Sequence, residues 1–349
     1  MSTTDTVPLG RTGLHISRLG FGSWAVSGSN WSYGWGDTDD TESVEAIRHA
    51  VRSGVNWIDT AAVYGHGHSE ELVGKAVAGL AADERPYLFT KVGLVWDPAD
   101  PSAAPLRTMR PDSVRREVED SLRRLGAEHI DLYQVHWPDT GEVLGGVGDA
   151  GGGVSPDATP LEVYWQVMAD LKAEGKVRAI GLSNHTPELL DAAEQIAHVD
   201  VIQPPFSAIT RSAADEVAWA RAHGTGVIAY SPLQSGLLTG TFSAERVAGL
   251  PDGDWRRSHP DFTTALPANL ALADALRPIA ARHAVSVTEV ALAWVLAWPG
   301  VTGAIVGART PAQVDGWRDA AALALTPEDL EEVAAAIAAT GAGTGPARP

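Results

Sequence analysis

The chain has 349 residues, a formal net charge of −18 and no cysteine, with 44% apolar and 20% charged residues. Disulfides and thiolate metal sites are excluded, and a field of this sign repels nucleic acid and anionic membrane surfaces. No run of about 18 apolar residues is present and the start, MSTTDTVPLGRTG, has no basic-then-apolar leader, so a cytoplasmic protein without a membrane span is expected.

Residues 7–15, centred on GRTG, read as a short hairpin, and 16–21 as the first strand. A helix over 42–53 places Val44, Ile47, Ala50 and Val51 on one stripe. Short apolar runs with the length of buried strands follow at 55–59, 87–91, 130–136, 177–183, 199–203, 226–231 and 303–307. Between them lie stretches with helical spacing. The clearest, 111–125, opens on proline and carries Val114, Val118, Leu122 and Leu125; the others are 160–175, 187–197, 213–223, 270–283, 287–297 and 311–322.

Strands that alternate with helices imply a parallel sheet with crossover connections. An open doubly wound sheet would carry a glycine-rich phosphate turn between its first strand and a helix. Here the first strand runs into GFGSWAVSGSNWSYGWG, a loop with no helix directly behind GFG. The expected fold is therefore a closed (β/α)8 barrel of the TIM type with an amino-terminal β-hairpin, one domain over 1–340. Residues 140–158, TGEVLGGVGDAGGGVSPDA, form a glycine-rich insertion after the fourth strand, placed to gate the mouth or to lack order. The tail, 341–349, is expected to be disordered.

Chemistry in such a barrel gathers at the carboxyl-terminal strand ends. The second strand ends in Asp59 and runs on to Tyr64, the third ends in Lys91 and the fourth in His136. The fifth ends in Ser183-Asn184-His185, the sixth in Gln203 and the seventh in Tyr230-Ser231-Pro232. Charges at the ends of apolar strands are costly unless paired. Asp59, Lys91, Tyr64 and His136 on one rim satisfy one another and make an acid site. A phenol titrates near pH ~10 by itself, and an adjacent ammonium favours its phenolate. Asp59 would then fix the lysine, and His136 would orient a substrate oxygen. Each residue alone has a plainer reading, a structural ion pair or a satisfied core histidine. Four at successive strand ends are harder to dismiss.

The stretches LGRTGLHISRLGFGSW, GVNWIDTAAVYGHGHSEELVGKAV, LFTKVGL, SLRRLGAEHIDLYQVHWPD, GKVRAIGLSNH, YSPLQSGLLTG and AIVGARTPAQV resemble the aldo-keto reductase superfamily across nearly the whole chain. The resemblance implies hydride transfer between NADP(H), or alternatively NAD(H), and a carbonyl carbon. It makes Tyr64 the acid in reduction and the base in oxidation, tuned by Lys91 and Asp59, with His136 positioning the carbonyl. It assigns Ser183, Asn184 and Gln203 to the nicotinamide carboxamide and Tyr230 to stacking on the ring. The turn through Ser231, Leu233, Ser235, Gly236 and Leu238 wraps the pyrophosphate, and Trp24 lines the mouth. Gly307, Arg309 and Gln313 fit the segment that grips the adenosine 2′-phosphate and adenine. Relatives commonly continue with an acidic residue and an asparagine, where this chain has Gly316 and Trp317. One account of that departure has Trp317 stack on the adenine.

Trp24, Trp31, Tyr33, Trp35, Trp96 and Trp137 crowd the strand-end loops and suit a carbonyl substrate that is sugar-like or polycyclic, whose faces they would stack on. Two other functions stay open: an NAD(P)-dependent aldose or inositol dehydrogenase working in oxidation, and a slow-turnover, cofactor-holding regulatory subunit. No metal site is expected, and the oligomeric state is open.

Overall fold

The computed structural model describes residues 6–29, 31, 33–81, 83–145, 155–251 and 254–348. Eight parallel strands close into a barrel in chain order: β1 (Leu19–Gly22), β2 (Trp57–Asp59), β3 (Tyr87–Val92), β4 (Ile130–Val135), β5 (Val177–Ser183), β6 (Val201–Gln203), β7 (Gly226–Ala229) and β8 (Gly303–Gly307). β8 pairs back onto β1, with Ala304 opposite Leu19 and Gly307 opposite Gly22, so the sheet has no free edge. Closure settles the choice against the open sheet.

The first strand starts later than the sequence suggests. Ile16 and Ser17 belong to the hairpin, where His15–Ser17 pairs antiparallel with Thr6–Pro8. This hairpin caps the amino-terminal end of the barrel. Its Leu9, Leu14 and Ile16 pack on Trp57, Phe89, Leu132 and Ile228 inside the barrel. The Trp57 indole fills the centre and donates from Nε1 to Ser17 O at 2.8 Å. Room for it comes from Gly20, where a Cβ would lie 2.2 Å from the ring.

The second and larger core lies between strands and helices. Two of its helices are not marked by the sequence reading. His68–Val77 begins after Gly67, in the left-handed region at φ 97°, and the GHGH approach masks its apolar spacing. Pro327–Thr340 starts from a reciprocal cap between Thr326 and Asp329 and buries Val333 and Ile337. The expected helix 270–283 is two, Leu266–Ala275 and Arg277–His283, because Pro278 starts a new first turn. The stretch 311–322 likewise yields only Pro311–Asp315 and a single turn at Ala320–Ala322. Among the described residues, no single helix is long and apolar enough to cross a membrane.

Residues 341–348 pack against the body of the protein, against expectation. Thr344 pairs with Thr210, and the Arg211 guanidinium donates to Ala342 O at 3.2 Å, Gly345 O at 3.3 Å and Pro346 O at 3.1 Å. One buried cation collects the carbonyls that a short glycine-rich segment cannot pair within itself. Of the glycine-rich insertion, 146–154 lies outside the described residues.

Candidate active site

Asp59 and Lys91 leave adjacent strands at the carboxyl end of the barrel, both buried. Lys91 Nζ donates to Asp59 Oδ1 at 2.5 Å, to Thr60 O at 2.9 Å and to Tyr64 Oη at 3.3 Å. The second carboxylate oxygen of Asp59 accepts from Gln203 Nε2 at 2.9 Å and Gln134 Nε2 at 3.4 Å. A buried ion pair survives only when its remaining donors and acceptors are met, and these amides meet them. Gln134 is a member of the group that the sequence reading passed over. A glutamine inside the apolar run IDLYQV was the available signal.

Tyr64 sits in the turn after β2, its ring edge-on to His136 at 5.7 Å between centroids and alongside Trp24 at 6.2 Å. Burial first, and Asp59 second, push its phenol well above the ordinary value. That direction is opposite to the drift toward phenolate expected from an adjacent ammonium, because burial outweighs the Lys91 charge, which Asp59 also pairs. Burial lowers the Lys91 pKa while Asp59 opposes that shift. His136 is held well below its ordinary value by burial and by Lys91, so it is a neutral imidazole. The site thus presents a neutral phenol and a neutral histidine over an internally compensated pair. His185 stands apart: Nδ1 donates to Ser183 O at 2.8 Å, Nε2 accepts from Tyr164 Oη at 3.0 Å, and burial lowers its pKa to about 4.

These groups open onto a cavity of about 500 Å³ running outward from His136 to Trp317. At its inner end, Tyr230 Oη donates to Asn184 Oδ1 at 2.8 Å, and Asn184 Nδ2 donates to His136 O at 2.9 Å. Asn184 adopts φ 62°, which turns its amide across the strand ends. Ser183 Oγ donates to Gln203 O at 2.8 Å. Further out, Ser231, Gln234, Ser235 and Gly236 all take positive φ and coil the chain tightly against the cavity. Trp24, Ser231, Leu233, Ser235, Gly236, Gly307, Arg309 and Gln313 line it as expected. Leu238 does not. It is fully buried in the outer core, and its N–H donates to Leu233 O at 3.1 Å. Lys91 also lies behind the lining and meets it through Asp59 and Tyr64.

At the outer end, Gln313 Oε1 accepts from Arg309 N at 2.7 Å, and Arg309 Nη1 donates to Trp35 O at 3.3 Å. Trp317 is only 3% exposed, packs in the outer core and also lines the cavity. Two further arginines, Arg246 and Arg256, reach the cavity from the loop after β7. Arg256 pairs with Asp254 at 2.6 Å and lies 4.9 Å over the Trp35 ring. The WRR triplet at 255–257, in a chain so rich in acid, was the sign of Arg256; Arg246 had none.

The chain matches the aldo/keto reductase family over residues 18–338. It is 35% identical to aldo-keto reductase YhdN of Bacillus subtilis (strain 168), over 92% of this chain and 90% of that protein. It is 33% identical to the NADH-specific methylglyoxal reductase of Escherichia coli (strain K12), over 88% and 90% respectively. Among solved structures, glycerol dehydrogenase AKR11B4 from Gluconobacter oxydans aligns with a TM-score of 0.83 at 35% identity, covering 99% of this chain and 98% of that one. Closed barrel and matches together define an NAD(P)H-dependent oxidoreductase. More particularly, the chain belongs to the aldo/keto reductase family.

Proposed function

We propose that this enzyme reduces carbonyl compounds to alcohols, with NADPH as hydride donor and Tyr64 as proton donor. The observation that carries the reading is the Tyr64 hydroxyl, half-buried, favoured in its protonated form, 3.3 Å from Lys91 and across from neutral His136. A neutral phenol suits delivery of a proton to oxygen as negative charge develops there. His136 holds the carbonyl oxygen by a hydrogen bond, and Lys91 steadies the phenolate left behind. Asp59, Gln134 and Gln203 keep Lys91 in place.

The residues present fit a dinucleotide. Tyr230, Asn184, Gln203 and Ser183 offer a flat aromatic ledge with amide and hydroxyl groups at the inner end. The coiled turn over 231–236 follows, and Arg246, Arg256 and Arg309 gather positive charge at the outer end of a chain whose net charge is −18. A bound nicotinamide supplies the hydride. Arg309, with Arg256 beside it and Asp254 as counter-charge, would take the 2′-phosphate, which favours NADPH over NADH.

Replacing Tyr64 by Phe should lower kcat by about 10²–10⁴-fold and leave the NADPH dissociation constant unchanged. Near-normal turnover would move the acid role, with His136 next in line. For the cofactor, Arg309→Ala should weaken NADPH by roughly 10–150-fold, the loss of one charge-assisted hydrogen bond, and leave NADH nearly as it was. Equal wild-type affinities, unmoved by the substitution, would overturn the NADPH assignment.

A further inference from the structure

The first limb of the glycine-rich insertion is part of the site. A hairpin follows β3, pairing Leu94–Val95 with Leu106–Arg107. Residues 142–144 add a third strand to it: Arg107 N donates to Glu142 O at 2.9 Å, Leu144 N donates to Pro105 O at 2.8 Å, and Val143 bridges antiparallel to Leu106. Asp139 fixes the base. Its carboxylate accepts from Met109 N at 2.7 Å, Gly141 N at 2.8 Å and Thr159 N at 3.0 Å, so both limbs and the β3 loop hang on one side chain.

Strand alternation then sets direction. Val143 points outward, 57% exposed, while Leu144, 7% exposed, enters the cavity beside Trp31, Val63 and Leu94. Tyr33, from the loop after β1, donates through its hydroxyl to Leu144 O at 2.9 Å and completes the wall. Two other donors of this wall are engaged as well, while Trp35 Nε1, in the same lining, is buried without a partner. Trp24 Nε1 donates to Tyr33 O and Trp31 Nε1 to Ser27 Oγ, each at 3.0 Å. A polyol placed here would meet indole faces but few groups to pair its hydroxyls, whereas a ring would bury against them.

We propose that Leu144 is a specificity-determining residue, and that this end of the cavity takes carbonyl compounds with an apolar, ring-sized substituent in preference to small polyols and sugars. The inference rests on the catalytic reading only in taking this end as the seat of the substrate's body. Its test is a ratio between substrates, which does not depend on which group supplies the proton.

The test compares benzaldehyde with glyceraldehyde at saturating NADPH. Leu144→Ala should lower kcat/KM for benzaldehyde by about 10-fold, chiefly through KM, and change that for glyceraldehyde less than about 2-fold. Leu144→Trp should exclude benzaldehyde by about 10-fold or more and spare glyceraldehyde. The outward Val143→Ala should alter neither. Quenching of tryptophan fluorescence by benzyl alcohol and by glycerol reads the same preference without turnover, so it separates a failed wall from a failed acid. Parallel changes for both compounds, no change for either, or a wild type that binds glycerol as well as benzyl alcohol would overturn the proposal.

Discussion

The two ends of the barrel hold opposite kinds of side chain on the same strands. Trp57 and Asp59 are two residues apart on β2, Phe89 and Lys91 on β3, Leu132 and Gln134 on β4, and Val201 and Gln203 on β6. With a side-chain period of two, each pair points into the barrel about 7 Å apart. The lower member packs with the hairpin plug and makes an apolar layer. The upper member is charged or amidic and reaches its partners across the mouth. Stability concentrates at one end and chemistry at the other, with a single pleat between them.

That division can be broken most visibly at the Asp59–Lys91 pair. Lys91→Met should slow turnover by roughly 10²-fold or more and, by leaving Asp59 buried and unpaired, cost about 3–5 kcal/mol of stability. Adding Asp59→Asn should restore most of that stability and none of the activity, as paired chemical denaturation and steady-state assays would show. Additive stability losses would mean that the two residues do not act as one unit.

Trp57→Ala probes the other end. Removing an indole that fills the barrel should cost about 3–5 kcal/mol, read from urea unfolding, while the folded fraction keeps its KM and kcat. Loss of activity in step with the lost packing would show that the two layers are not separable.

A smaller effect sharpens the comparison between strand and helix. Glu117, on the helix Pro111–Leu125, is buried, accepts from Gly93 N at 3.1 Å just beyond β3, and has its pKa raised from 4.5 to about 7, chiefly by burial. Because the folded value is raised, its favourable contribution is complete below about pH 4.5 and is lost as pH climbs through about 7. Glu117→Gln removes the titration. Its stability relative to wild type should therefore rise by about 1–3 kcal/mol between pH 5 and pH 8. A pH-independent difference would place the titration elsewhere.

What could be read in advance follows the same layering. Asp59, Lys91 and His136 stood out because each ends a short apolar run, and the strands carrying them are buried on both faces, so a charge or imidazole at the end is conspicuous. Ser183, Asn184, Gln203 and Tyr230 were also read from the strand ends, their roles and those of Trp24 and Arg309 came from the resemblance, and all six line the cavity. Leu238 failed because a backbone pattern says which residues form a turn but not which side chain it tucks into the core. The pairing of Asp59 with Lys91 was legible, but how deeply the turn after β2 desolvates the Tyr64 phenol was not, because burial depends on neighbours from other loops.

By itself the sequence determined the alternation of strand and helix, hence the barrel, and the residue types at each strand end, because both depend on local periodicity and on the need to pair a charge leaving an apolar strand. Only the tertiary structure decided that Arg211 would hold the tail, that Arg256 from the β7 loop would join Arg309, and that Leu144 would face inward. Those outcomes depend on where loops of unrelated sequence meet over the mouth, and no periodicity within any one of them records the neighbour it will find.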